Sequence, residues 1–244
     1  QQTYKPGKLT IATGQPAYEP WVMNDKPESG EGYEAAVAYA VADKLGFKKS
    51  DVVWTRTAFD TAIAPGAKDW DFNIQQFGIT DERKKAVDFS SSYYNDSQSV
   101  VVKKDSKFAN ATKVSDLKDA TVGVMVGTLA YDYAKANIKD DIQTFNDDAA
   151  LAQALDAGQI DALVTSTVEC VYMVQSEQVK DAKVLGRLPD SEDKSGMGIV
   201  LPKDSKLTAA VTKAVDDLNA DGTIKKLQDK WLAEYTTDLT ELKK

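Results

Sequence analysis

Apolar residues recur along this chain in two alternating rhythms. Leu9-Thr10-Ile11-Ala12-Thr13 is a β-prone run closed by Gly14 and Pro16, which predicts a first strand. From Gly32 to Leu45 the apolar positions Tyr33, Ala36, Val37, Ala40, Val41 and Leu45 fall at helical spacing, and Gly46 supplies the end cap. A strand starting at Val52, a short helix over 59–64 stopped by Pro65-Gly66, and a strand over 72–77 follow. Gly78 and Thr80-Asp81-Glu82 then carry the signature of a helix start, with a capping hydroxyl and two acids in the first turn. A polar run, Asn95-Asp96-Ser97-Gln98, precedes a second series. It comprises a strand at 99–102, a short helix capped by Ser115, and strands at 120–126, 142–145, 162–165, 183–188 and 196–201. Helices at 130–136, 149–157 and 168–174 separate them, and helices from Ser205 to 218 and over 224–235 end the chain. Strands alternating with helices in this way predict α/β architecture with parallel pairing.

Composition narrows the chemistry more than the class. The 244 residues suffice for one large domain or two lobes, and 42% hydrophobic with 28% charged residues is a globular balance. A net charge of -8 and the lack of a basic stripe speak against nucleic acid as a partner. No apolar run approaches bilayer length, and Gln1-Gln2-Thr3-Tyr4 is not a signal peptide, although a mature chain with its targeting segment removed reads the same way. Cys170 is the sole cysteine and there is no histidine, which excludes an internal disulfide, cysteine zinc sites, His-ligated metals and Ser-His or Cys-His catalysis. Cys170 itself reads as a small buried hydrophobe. No cofactor or metal is expected.

Two local patterns carry candidate chemistry. Arg83 falls in the first turn after Thr80, where a cation gains nothing from the helix dipole. It is either one more solvated charge in the run Asp81 to Lys85 or a guanidinium placed to grip a carboxylate in bidentate fashion. The second is Val122-Gly123-Val124-Met125-Val126-Gly127-Thr128, a buried strand running straight into a helix. Its exposed amides and the Thr128 hydroxyl, as donor, suit an anion, but a plain β-turn-α link looks the same. The glycine spacing rules out a phosphate-binding P-loop.

Taken in order, several segments resemble one family. Gly78-Ile79-Thr80-Asp81-Glu82-Arg83 with Val87-Asp88-Phe89-Ser90 and Tyr93-Tyr94 resembles the S-x-T-x-E-R and F-S-x-P-Y stretch of family 3 extracellular solute-binding proteins, the polar amino-acid receptors of ABC importers. Pro16 to Trp21, Gly32-Tyr33-Glu34, Val122 to Thr128 and Asp221-Gly222-Thr223-Ile224 with Lys230-Trp231 agree with further motifs of the family, covering nearly the whole chain. The resemblance implies a two-lobed periplasmic-binding-protein fold of type II, with a ligand cleft between the lobes, two crossing hinge strands and hinge closure on a ligand. It places lobe 1 at 1–97 and 199–244, lobe 2 at 98–198, and hinges near 95–100 and 196–200.

The resemblance also assigns roles. Arg83 corresponds to the arginine that holds the ligand α-carboxylate, and Thr128 to the second-lobe donor to the same group. Tyr18 and Phe59 correspond to aromatic walls, with Trp21 a weaker candidate, and Gln15, Gln76, Phe77 and Gly78 complete the first-lobe set. Ser166 stands where many relatives have the aspartate that pairs with the ligand α-ammonium, and Gly78 replaces a frequent serine. Glu169 is the first candidate to replace that acid, with Glu19 and Glu34 behind it, so an amine-modified or amine-free carboxylate also fits. The implied protein is a monomeric, non-catalytic, extracytoplasmic receptor, periplasmic or lipid-anchored, whose partners are a small ligand and a membrane permease. The alternatives are a cyclohexadienyl or arogenate dehydratase on the same scaffold, with Glu169 as acid, and a sensor module of a signalling chain.

Overall fold

Hydrophobic strands flanked by amphipathic helices fold here into two units, each built around its own sheet. The computed structural model describes residues 2–244. Unit 1 is the chain up to Asn95 together with Lys194–Ala233, and unit 2 is Asp96–Asp193 with Glu234–Lys244.

Unit 1 contains β1 (Leu9–Gly14), α1 (Tyr33–Lys44), β2 (Val52–Thr57), α2 (Phe59–Ala62), β3 (Phe72–Asn73), α3 (Asp81–Lys84) and β4 (Val87–Tyr94). The later segment adds β10 (Met197–Pro202), α7 (Thr208–Ala220) and α8 (Thr223–Trp231). Its sheet has the order β2-β1-β3-β10-β4, with β2, β1 and β3 parallel and β10 antiparallel to both neighbours. Every residue of β1 is buried, as its place between β2 and β3 in the sheet interior requires. The strand expected over 72–77 shrinks to Phe72–Asn73, because the chain turns at Gln76, whose φ is 53°. The eight-residue β4, by contrast, has no counterpart among the predicted elements.

Unit 2 contains β5 (Gln98–Lys103), β6 (Val122–Met125), α4 (Leu129–Asn137), β7 (Ile142–Phe145), α5 (Asp148–Asp156), β8 (Ala162–Ser166), α6 (Thr167–Gln175) and β9 (Ala182–Arg187). The order β7-β6-β8-β5-β9 repeats the plan of unit 1, with three adjacent parallel strands and then one strand, β5, antiparallel to both its neighbours. Its strands show the two-residue period in their packing. Val100, Val102, Val122, Val124, Ala162 and Val164 enter one apolar cluster, while Val101 and Leu163 enter another.

The tail departs from the expected division, which kept 199–244 in one lobe. Residues after Ala233 belong to unit 2, because Leu242 is buried in its core and Glu241 and Lys243 bridge to Arg187 and Lys113. Among the described residues no helix is long and apolar enough to cross a membrane.

Candidate functional site

In unit 1 the strand ends and their loops enclose a cavity of about 350 Å³, lined by the 13–18 loop, Thr57-Ala58-Phe59 and Gln75-Gln76. Its polar lining is hydroxyl and amide, without a charged side chain. The 15–25 loop is fixed from below by Arg56, which donates to Asp25 (2.5 Å) and to the Gly14 carbonyl (3.0 Å), while Asp25 also accepts from the Ala17 amide (2.8 Å). Tyr18 rides on this loop, 57% exposed, its ring available as a wall. Asn73 donates to Thr57 (2.9 Å), and Thr57 donates to the Gln75 amide oxygen (3.3 Å), which orients the polar side.

Arg83 stands beside that cavity through Phe59. Its Nη1 donates to the Gly78 carbonyl (2.8 Å) and its guanidinium carbon lies 5.4 Å from the centre of the Phe59 ring. Phe59 in turn stacks on Phe77 at 4.7 Å. Thr80 caps α3, accepting from the Arg83 amide (3.1 Å), so the helix start read from sequence sets where this side chain begins. Arg83 is half-buried, and burial pulls its proton affinity below the ordinary guanidinium value. No carboxylate among the described residues pairs with it. The structure therefore gathers Gln15, Tyr18, Phe59, Gln76, Gly78 and Arg83 in one region. Phe77, fully buried, is packing beneath them, and Trp21 is packing against Tyr33 and Tyr94.

Two of the other acids considered for the ligand amine lie in unit 1, each engaged in hydrogen bonds of its own. Glu34 is fully buried and bound to Gln76 and Tyr93, so it is no surface acid. Glu19 accepts from the Asn24 amide (3.1 Å) in its own loop.

In unit 2, Thr128 caps α4. Its hydroxyl accepts from the Tyr131 amide (3.2 Å) and donates to the Met125 carbonyl (2.7 Å), so the proton expected to point at an anion is already committed. Val126 and Leu129 flank it with exposed apolar side chains. Ser166 precedes α6 without capping it. Its neighbour in the helix, Glu169, is half-buried and its carboxyl is pushed up to about 8 by burial and by the nearby Asp148 and Asp96 carboxyls. Burial likewise raises Asp148 to about 6 and Asp96 to about 7. Asp96 accepts from the Ser97 amide (2.8 Å) through one oxygen, while its second oxygen is buried without a hydrogen-bond partner. Three carboxyls thus crowd together with no lysine or arginine paired to them among the described residues. Sequence reading missed Asp96 and Asp148. In Asn146-Asp147-Asp148 one acid suffices for the α5 cap, and Asp147 serves (2.7 Å to the Ala150 amide), which left Asp148 unaccounted for.

This crowding has a stability consequence with a definite sign. Glutamate in an unfolded chain titrates near 4.3, whereas folded Glu169 holds its proton to about 8. Between those values the folded state binds the extra proton, so the group's contribution is fully present below the unfolded value and is lost as pH rises through about 8. Thermal unfolding of the ligand-free protein should fall in midpoint from pH 5.5 to 8.5, and Glu169→Gln should flatten that fall.

Comparison with known proteins agrees with this layout. The family model for bacterial extracellular solute-binding proteins, family 3, matches residues 9–234. An L-arginine-binding protein of Pseudomonas aeruginosa is 29% identical over 245 residues, covering 94% of this chain and 88% of its own. The L-cystine-binding protein TcyJ of Escherichia coli is 30% identical over 223 residues, covering 90% and 81%. A solved structure of an ancestral arginine-binding protein bound to arginine superposes with a TM-score of 0.70 at 31% identity, over 93% of this chain and 98% of that one. All three are binding proteins by name.

Proposed function

Because the chain belongs to the bacterial extracellular solute-binding proteins of family 3, we propose that it captures a polar amino acid, or a related small carboxylate, outside the cytoplasm and passes it to the membrane permease of an ABC importer. Arg83 carries the reading. A half-buried guanidinium, braced by the Gly78 carbonyl and the Phe59 ring and paired with no acid among the described residues, is prepared for an incoming carboxylate. The start of α4 at Thr128 supplies the second grip through its backbone amides as the two units close on the ligand. The aromatic rings of Tyr18 and Phe59 cover the ligand's apolar part, and the uncharged amides and hydroxyls of the unit 1 cavity meet its side chain. Arginine and cystine, the ligands in the relatives' names, are the first to test. The receptor works free in a periplasm or held by a lipid at the outer face of the membrane.

The α-ammonium goes to Glu169. Ser166 brings no charge, while Glu169 stands one helical turn away among acids that lack a cation. An ammonium arriving there expels the proton that the ligand-free protein holds. Affinity therefore rises with pH toward about 8 and levels off above it. Glu169→Gln should weaken a zwitterionic ligand at least tenfold at pH 8.5, on the order of 1.4 kcal/mol or more, and remove the pH slope. Titration calorimetry across pH reads both.

The decisive screen measures melting-point shifts with the common amino acids, cystine, and decarboxylated, deaminated and N-acetylated analogues, since only ligands of the folded state raise the midpoint. Intact amino acids should stabilise and decarboxylated ones should not. Decarboxylated analogues that stabilise as well as their parents would remove Arg83 from its role. Deaminated and N-acetylated analogues that do so would remove Glu169.

A further inference from the structure

Glu34 is used by nothing above. It sits on the first turn of α1, fully buried, with no cation paired to it among the described residues. Burying an unpaired carboxylate is costly, and here hydrogen bonds offset the cost. One oxygen accepts from the Gln76 side-chain amide, and the other accepts from the Gln76 backbone amide (2.8 Å) and the Tyr93 hydroxyl. Two of the three donors belong to a single residue, and that residue lines the unit 1 cavity with its backbone at φ 53°. A glutamine in a left-handed conformation needs its surroundings to hold it there. Two residues further on, the Gly78 carbonyl receives Arg83.

We propose that Glu34 is a positioning residue of the ligand pocket: out of a ligand's reach, its carboxylate clamps both amides of Gln76 and so sets the wall and the turn that present Arg83. The proposal rests on the reading of this cavity and Arg83 as the ligand site. The ionised form holds the clamp most tightly, because a carboxylate accepts from all three donors, whereas a proton on either oxygen turns part of it into a donor that Tyr93 can accept only by reversing its hydroxyl. The titratable groups around it are Tyr93 on β4 and Tyr33 beside it on α1, both hydroxyls raised by burial and so uncharged, which leaves Glu34 as the group that changes charge. Burial raises it to about 7 against the pull of the Tyr93 and Gln76 hydrogen bonds. The clamp is thus strongest above that pH and loosens below it.

The test uses the intact chain, with affinities measured at pH 8.5, above the values of both Glu169 and Glu34, so that the unit 2 acid does not mask the effect. The Gln76 backbone amide, followed by nitrogen–proton NMR without ligand, should titrate with a midpoint of about 7 and stop doing so in Glu34→Gln. Saturating ligand should move that midpoint downward, since a clamp that favours binding must itself be favoured by binding. Of L-arginine, L-glutamine and L-cystine, whichever binds tightest should lose at least tenfold in affinity in Glu34→Gln. If Glu34→Gln does not fold, the titration of the unaltered residue and the same measurements on Tyr93→Phe decide the matter: that variant removes one donor to the carboxylate without touching Gln76, so the midpoint of the Gln76 amide should rise, and an unmoved midpoint counts against Glu34 as its source. A Gln76 amide indifferent to pH between 5.5 and 8.5 overturns the proposal, as does a folded Glu34→Gln that binds like its parent. If neither these three nor any other amino acid or analogue of the melting screen binds, the ligand-site reading fails, and the amide titration still tells whether Glu34 holds Gln76.

Discussion

Arg83→Ala is expected to abolish measurable binding of the natural ligand while the ligand-free protein stays folded. Truncating one side of a buried charged hydrogen-bond pair costs about 2–5 kcal/mol, and each 1.4 kcal/mol is tenfold, so affinity should drop by roughly two to three orders of magnitude. The folded state loses much less. Arg83 contributes one bond to the Gly78 carbonyl and its contact with Phe59, each worth on the order of 1 kcal/mol or less, and deleting it also relieves a partly desolvated charge. The melting midpoint without ligand should therefore move by only about 2–4 °C. Arg83→Lys separates charge from geometry: an ammonium keeps the sign but not the bidentate fork, so its affinity should fall between those of the parent and the alanine variant. Calorimetry on the three proteins, with circular dichroism melts beside it, provides the check. Alanine binding as well as arginine at this position would mean that the anion sits elsewhere.

Where the fold could be read from the chain, the signal was local. Thr80 before Asp81-Glu82 announced α3, and Gly46 after Leu45 announced the end of α1, because capping involves neighbours in sequence. The second series of strands and helices was similarly legible, since Val100 to Val102 and Ala162 to Val164 are buried on both faces and read as continuous apolar runs. β4 was not. Val87-Asp88-Phe89-Ser90-Ser91-Ser92-Tyr93-Tyr94 has three consecutive serines and no clean alternation, and its strand pairing is supplied by β10, more than a hundred residues later in the chain. The roles given to Arg83 and Phe59 came through family resemblance, not periodicity; their contact came from the structure. What stayed hidden was convergence. Asp96, Asp148 and Glu169 belong to a passage between units, a helix start and a helix face, and nothing in any one segment says that their carboxyls share a field. Glu34 was hidden for the opposite reason: an acid in a first helical turn looks like dipole decoration, and only its burial reveals three donors aimed at it.

Gly32→Ala should be a strongly damaging single-methyl change in unit 1. Gly32 precedes α1 with φ at 104°, and a Cβ there would lie 2.5 Å from the Trp21 carbonyl oxygen, 2.7 Å from its carbon and 2.8 Å from the Val22 Cα. These are backbone atoms, which cannot rotate aside as a side chain can. They also do necessary work: the Pro20 carbonyl accepts from the Tyr33 amide (2.9 Å), and the Trp21 carbonyl accepts from the amides of Glu34 (2.9 Å) and Ala35 (3.2 Å). No side chain caps α1, so this close approach of loop to helix is its cap. Alanine must both adopt a strained φ, at about 1–3 kcal/mol, and push the loop off amides worth about 1 kcal/mol each. A loss of roughly 3 kcal/mol or more follows, or about 6–12 °C in melting midpoint for a chain of this size. Gly46→Ala is the control, with φ at 88° but open space around the new methyl, and should cost only about 1–2 kcal/mol. The same loop carries Tyr18, so Gly32→Ala should also weaken ligand binding at temperatures where the protein remains folded, whereas Gly46→Ala should not. Equal melting losses for the two variants would show that backbone strain alone, and not the contact of the 20–22 segment with α1, sets the cost.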